Sequence, residues 1–150
     1  SYEVKREYMA RIHGDVDEAM IKRLTDGVVL EDGIAKFQTV KAQHSRTPEE
    51  HGGSNRWFRV ILAEGRTREV RRLWESQDVD VNRLKRISYG PIELPSIVRR
   101  SEFLELDPKQ VVSLFHAVKL RPPRFSEKAV YKDIRQRKEK KLRARGDTSK

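Results

Sequence analysis

Apolar positions along this chain recur at two periods, one of strands and one of helices. Over residues 4–13, Val4, Arg6, Tyr8, Ala10 and Ile12 fall on one side of an alternating pattern, which predicts a strand. Val16, Ala19, Met20 and Leu24 then recur at helical spacing behind Asp15-x-x-Glu18, which resembles a capping box. Gly27 follows as the residue that closes this helix. A short strand over 28–30, a turn at Glu31-Asp32-Gly33 and a strand over 34–41 come next, the last with Ala35, Phe37 and Thr39 on one side. Residues 57–63 are dense in aromatic and β-branched types and read as a buried strand. Val70, Leu73, Trp74 and Gln77 share one face of a helix over 68–77, with Arg68, Arg71 and Arg72 on another and Thr67 as the expected N-cap. Residues 80–89 read as a strand, 92–95 as a short extended piece and 103–106 as a last short strand. Asp107-Pro108-Lys109-Gln110 supplies an N-cap, an N1 proline and an N3 glutamine, and Val111, Leu114, Phe115 and Val118 form the stripe of a final helix. The order β-α-β-β-β-α-β-β-α predicts an α+β fold, a mixed and mainly antiparallel sheet with flanking helices.

Residues 43–54 contain Pro48 and Gly52-Gly53 and read as a flexible loop, long for a hairpin connection. Pro122-Pro123 ends the folded part, so the expected organisation is a folded region over 1–125 and a basic tail over 126–150. That tail is polar and charged, and reads as disordered or as a helix that orders on RNA. Charge gives this division a meaning. The chain has 33 Lys+Arg against 23 Asp+Glu, a net +10, and the tail alone holds ten Lys/Arg against four Asp/Glu. A strongly basic soluble protein points to a polyanion, and nucleic acid is the commonest one. The absence of cysteine excludes disulfides and thiolate metal sites and fits a reducing, cytoplasmic setting. No apolar run approaches the length of a membrane span, so no membrane partner is expected. The chain opens on Ser1-Tyr2-Glu3, already in what reads as a strand, and is expected to be a piece of a longer protein.

The densest candidate chemistry is Glu64-Gly65-Arg66-Thr67-Arg68-Glu69-Val70-Arg71-Arg72-Leu73-Trp74, where a strand turns into a helix. Gly65 can take a positive φ there, and Glu69 sits in the first turn, where the helix dipole favours an anion. Several guanidinium groups are held at one corner; such forks bind phosphates or orient a carboxylate. The plainer alternative is a solvated helix face with pairs such as Arg68 and Glu75. Tyr8 reads as a half-buried strand tyrosine or as a ring that stacks on a base. Arg83, Lys85 and Arg86 read as a wet sheet face or as phosphate contacts. His13, His44, His51 and His116 have no metal-binding spacing, and no Walker, dinucleotide or nucleophile-elbow motif is present.

Four motifs together resemble the RsuA-like family of ribosomal pseudouridine synthases, nearest its large-subunit members. They are Arg6-Glu7-Tyr8, Leu30-Glu31-Asp32-Gly33, the run from Glu64 through Leu73 and Leu84-Lys85-Arg86-Ile87-Ser88-Tyr89-Gly90, and the resemblance covers about residues 2–125. It implies an isomerase that converts uridine to pseudouridine in ribosomal RNA, naked or in a ribosomal-subunit precursor, with no cofactor and no metal. A catalytic aspartate attacks the nucleoside, the C1′–N1 bond breaks, the base turns, and C5 bonds to the sugar; the target nucleotide is flipped to reach the site. Tyr8 matches the family's active-site tyrosine, which packs on the base and is proposed to assist proton removal from C5. Arg71 matches the arginine that pairs with the catalytic aspartate, and Leu84 an apolar residue lining the base pocket. Arg66, Arg68, Arg72, Lys85 and Arg86 are candidates for RNA contacts or for bracing the site. One departure stands out: the family's Gly-Arg-Leu-Asp motif is absent. Arg23-Leu24-Thr25-Asp26 lies on the wrong side of Tyr8, at a helix end, which rules out Asp26. The chain is therefore expected to be the C-terminal portion of a synthase catalytic domain, missing the N-terminal part of the same enzyme and inactive alone. The alternative is a non-catalytic RNA- or ribosome-binding module that uses the arginine corner and the tail.

Overall fold

Strand β1 (Arg6–His13) is followed by α1 (Glu18–Asp26), the short strands β2 (Val28–Leu30) and β3 (Gly33–Ala35), and the longer β4 (Thr39–Gln43) and β5 (Asn55–Leu62). Helix α2 (Glu69–Glu75), β6 (Asp80–Tyr89), β7 (Ile92–Glu93) and α3 (Pro108–Ala117) complete the order. These elements come from a computed structural model, which describes residues 4–43, 55–99 and 101–125. Of the loop read over 43–54, Gln43 instead ends β4, where it pairs with Trp57, and residues 44–54 lie outside the described residues, as does the tail over 126–150. The chain divides between Ile97 and Val98 into two compact units, the second of which contains α3.

Five strands form one sheet in the order β4-β5-β1-β6-β7, and β2 pairs with β3 in a separate two-stranded hairpin. Every one of these pairings is antiparallel. The α+β class and the mainly antiparallel sheet expected from the periodicities hold. Alternation along β1 sends Ala10 and Ile12 into the core, where they meet Phe58, Val60 and Leu62 of β5. Helix α1 contributes Met20 and Leu24 to the same core, and α2 contributes Val70, Leu73 and Trp74. Trp74 is the centrepiece. Its ring lies 5.8 Å from that of Phe37 and 5.2 Å from that of Phe58, both in tilted geometries that aromatic quadrupoles favour.

Local chemistry sets several ends as expected. Asp107 and Gln110 close a full capping box on α3. Gly27 caps α1 with φ 133°, donating its N–H to the Arg23 carbonyl. Other expectations are corrected. The N-cap of α1 is Asp17, not Asp15, because its carboxylate accepts from the Met20 N–H at 2.7 Å. The single strand expected over 34–41 is two strands. The chain leaves β3 so that Phe37 can enter the core, with its N–H on the Leu24 carbonyl at 2.9 Å, and Gln38 then joins Ile61 at 2.8 Å. Residues 103–106 form no strand. Phe103 is 93% and Leu104 57% exposed, and this stretch joins no ladder despite its apolar composition. Helix α2 begins at Glu69, and the residue before it is Arg68 in left-handed geometry (φ 52°, ψ 25°) rather than Thr67 as a side-chain cap. Glu69 does the capping instead: its carboxylate accepts the Arg66 N–H at 3.0 Å while its own N–H reaches the Arg66 carbonyl.

Candidate active site

The site is built where β1, β6 and the start of α2 meet. The register between β1 and β6 places Tyr8 opposite Arg86 and Ala10 opposite Leu84. It shifts between Glu7 and Tyr8, an irregularity of the kind that re-aims a side chain beside a functional site. Tyr8 is half-buried against the core. Its hydroxyl accepts two N–H groups of Arg86, at 3.2 Å from Nε and 2.9 Å from Nη2. The same guanidinium lies 5.2 Å from the tyrosine ring centroid. With Arg86 on the acceptor side of the hydroxyl, the O–H is left to donate elsewhere.

The corner before α2 depends on a close approach. Gly65 needs no positive φ, contrary to the sequence expectation. A Cβ there would instead lie 2.8 Å from Arg6 Cζ. Arg6 occupies that space, donating to the carbonyls of Val4 (2.8 Å) and Ala63 (3.1 Å) with its guanidinium over the Tyr89 ring. Beyond the corner, Arg71 is partly buried and donates one N–H to the Val81 carbonyl. It forms no ion pair among the described residues. A guanidinium has five N–H donors, so most of this fork is free for a ligand. Tyr8, Arg66, Arg68, Glu69, Arg71, Leu84 and Arg86, with Leu62, Gly65 and Val70, line one cavity of about 220 Å³. Pockets for drug-sized ligands begin near 300 Å³, so this one is scaled for a single small group.

A second layer fixes the corner. Arg72 grips both carboxylate oxygens of Asp32 at 2.8 Å each, and Arg66 adds bonds to the carbonyls of Asp32 (3.2 Å) and Ile34 (2.9 Å) and to Glu64 (2.7 Å). The β2–β3 hairpin is thereby fastened to α2. The hydrogen bond from Arg72, helped by its charge and that of Arg66, holds the Asp32 carboxyl at about 2, well below its ordinary 3.8. A depressed carboxylate stabilises the fold fully above its ordinary value and loses that contribution as pH falls through the folded value. The clamp should therefore weaken between about pH 4 and pH 2. Carboxyl-carbon NMR should find Asp32 titrating near 2, and in Arg72→Gln shifted upward toward its ordinary 3.8; an ordinary midpoint in the unaltered protein would refute the clamp.

Comparison with known proteins now bears on this geometry. No protein-family model matches the chain. Ribosomal large subunit pseudouridine synthase B of Escherichia coli (strain K12) is 46% identical over 143 residues, covering 95% of this chain and 47% of that protein. Its namesakes in Pseudomonas aeruginosa and Vibrio cholerae are each 43% identical, over 92% and 96% of this chain and 35% and 43% of their own lengths. The chain is homologous to these synthases. It spans about half the length of the curated relatives it matches, or less. Among solved structures, a chain of an H/ACA RNP bound to a substrate RNA containing 2′-deoxyuridine has 21% identity and a TM-score of 0.43, over 61% of this chain and 30% of that one, too loose a superposition to argue from.

In this synthase homologue, six residues singled out from the sequence converge on the cavity: Tyr8, Arg66, Arg68, Arg71, Leu84 and Arg86. The other two do not. Arg72 is committed to Asp32, and Lys85 projects from the opposite face of the sheet, where its partner in register is Met9. Arg68 is exposed and reaches Glu75 at only 3.4 Å, so it remains available at the rim. Sequence reasoning gave no site role to Asp32 or Glu69. Glu69 is the one buried charged side chain among the described residues, 3% exposed. The signal it carried in the sequence was an acidic residue in the first turn of the helix, which points to stabilising that helix end. Among the described residues, no group of three His, Asp or Glu side chains could hold a metal ion, and no helix is long and apolar enough to cross a membrane.

Proposed function

We propose that the chain forms the uridine-holding part of an RNA pseudouridine synthase site that acts on large-subunit ribosomal RNA, free or in an assembling subunit. The observation that carries this reading is the convergence of Tyr8, Leu84 and Arg71, from three separate elements, on one cavity. Tyr8 and Leu84 give a uracil ring two apolar surfaces. Arg71, with most of its donors unused, can grip a carboxylate two-pronged, keeping it ionised and fixed in direction. That carboxylate is the attacking aspartate. Its attack on C1′ forms a C1′–O bond as C1′–N1 breaks and the base leaves with the electron pair. Once the base has turned, C5 bonds to C1′ and displaces the carboxylate, the proton on C5 is lost, and N1 gains one. Tyr8 packs on the base through this turn and assists removal of the C5 proton. Arg68 takes a backbone phosphate at the rim, and Arg66 and Arg72 brace the corner. No residue of the chain sits in a Gly-Arg-Leu-Asp motif, and Glu69 is occupied by the Arg66 N–H, so the aspartate comes from elsewhere in the intact enzyme.

The test is pseudouridine formation in ribosomal RNA by the intact protein and by these 150 residues alone. Formation by the first and none by the second is the expected outcome. Turnover by the chain alone would overturn the external aspartate. Ribosomal RNA binding by the intact protein with no isomerisation would make it a non-catalytic RNA-binding module.

A further inference from the structure

The face of the five-stranded sheet opposite the cavity carries two rows of side chains that the isomerase reading leaves unused. Residues directly opposite in an antiparallel pair share a face. The register therefore sets Lys41, Arg59, Met9 and Lys85 in one row across β4, β5, β1 and β6. The next row is Gln43, Trp57, Arg11 and Arg83. Five cations and no carboxylate occupy these rows, which span roughly 14 Å across four strands. Of the five, Arg59 is paired with Glu7 in the adjoining row. Arg11, Lys41, Arg83 and Lys85 form no ion pair among the described residues. Lys41, Arg83 and Lys85 are exposed, and the buried Nε of Arg11 has no hydrogen-bond partner. Like charges directly opposite, as in Arg11 with Arg83, destabilise a sheet. A partner bringing negative charge relieves that cost. Trp57 stands among these cations and is half-buried, as are Met9 and Arg11 beside it.

We propose that this face is a second RNA-binding surface, taking a single-stranded RNA segment with its phosphates on Arg11, Lys41, Arg83 and Lys85 and a base stacked on Trp57. Cations that track a backbone beside an aromatic platform are the common means of holding single strands without sequence preference. The surface goes beyond the isomerase reading and stands or falls separately from it.

Tryptophan emission tests the proposal, because the chain's only other tryptophan, Trp74, is fully buried. Titration with a single-stranded oligouridylate should quench the emission saturably, and Trp57→Phe should abolish the change. Arg11→Gln/Arg83→Gln/Lys85→Gln should weaken binding at least tenfold and lower the slope of log K against log salt by about 2, at roughly 0.7 per lost phosphate contact. Should Arg11 be needed for folding, the double variant Arg83→Gln/Lys85→Gln, at two exposed positions, should weaken binding in the same direction and lower the slope by about 1.4. No quenching in the unaltered chain, or an affinity indifferent to these cations, overturns the surface. Quenching that persists in an intact protein unable to make pseudouridine supports this surface while striking the isomerase reading. Isomerisation without quenching does the reverse.

Discussion

Replacing Arg71 with alanine should slow pseudouridine formation by the intact protein by about 100- to 1,000-fold, the usual cost of removing one preorganised charged or donor group from a reacting centre. Arg71 lines the cavity, and its only side-chain hydrogen bond among the described residues, from Nη1 to the Val81 carbonyl, leaves the Nε–Nη2 edge of the fork for a two-pronged contact. An aspartate opposite it loses both the charge that keeps it ionised and the two-pronged contact that aims it. Substrate RNA is held by other groups, so the loss belongs in the single-turnover rate and not in RNA affinity. Arg71→Lys separates charge from geometry: it keeps the cation but not the fork, and should recover only part of the rate. A rate unchanged in Arg71→Ala, with the protein folded, would remove the arginine from the reaction. A loss of RNA affinity alone would make it a binding residue.

Trp74→Ala should have the largest effect on stability. A buried Trp or Phe cut to alanine costs about 3–5 kcal/mol, because the transfer energy is lost and a cavity remains. Trp74 is fully buried between Phe37 and Phe58 and ties α2 to the sheet. The cost should fall near the lower end of that range. The indole N–H has no hydrogen-bond partner among the described residues, and removing a group buried unsatisfied returns about 1–3 kcal/mol. Domains of this size are stable by about 5–15 kcal/mol, so even this lower figure is a large fraction. Urea denaturation followed by circular dichroism would measure it. Because α2 carries Arg71, the same change should also lower activity at temperatures where most of the protein is still folded. A cost below about 1 kcal/mol would mean that the surrounding side chains collapse into the space, contrary to close packing.

The elements themselves were legible along the chain. Alternation over 4–13 predicted β1, and the Asp107-Pro108-Lys109-Gln110 signature predicted the start of α3, because periodicity and capping act within a few residues. The four motifs also pointed to the right relatives, since they pack specific residue types into short runs. Contacts distant in sequence decided the rest. The break at residues 36–38 follows from the place of Phe37 in the core under α1, not from any local breaker. Gly65 is required by the guanidinium of Arg6, brought there by the sheet. Asp32 became the clamp on α2 only when a hairpin 40 positions earlier met Arg72. The sequence alone determined which cations the chain carries; strand register decided that Arg86 faces the cavity while Arg83 and Lys85 face the other side. Alternation along β6 separates Leu84 and Arg86 from Arg83 and Lys85, but which of the two faces meets the cavity is set by the pairing with β1, Tyr8 opposite Arg86 and Arg11 opposite Arg83, and an interaction between strands cannot be read from either strand alone.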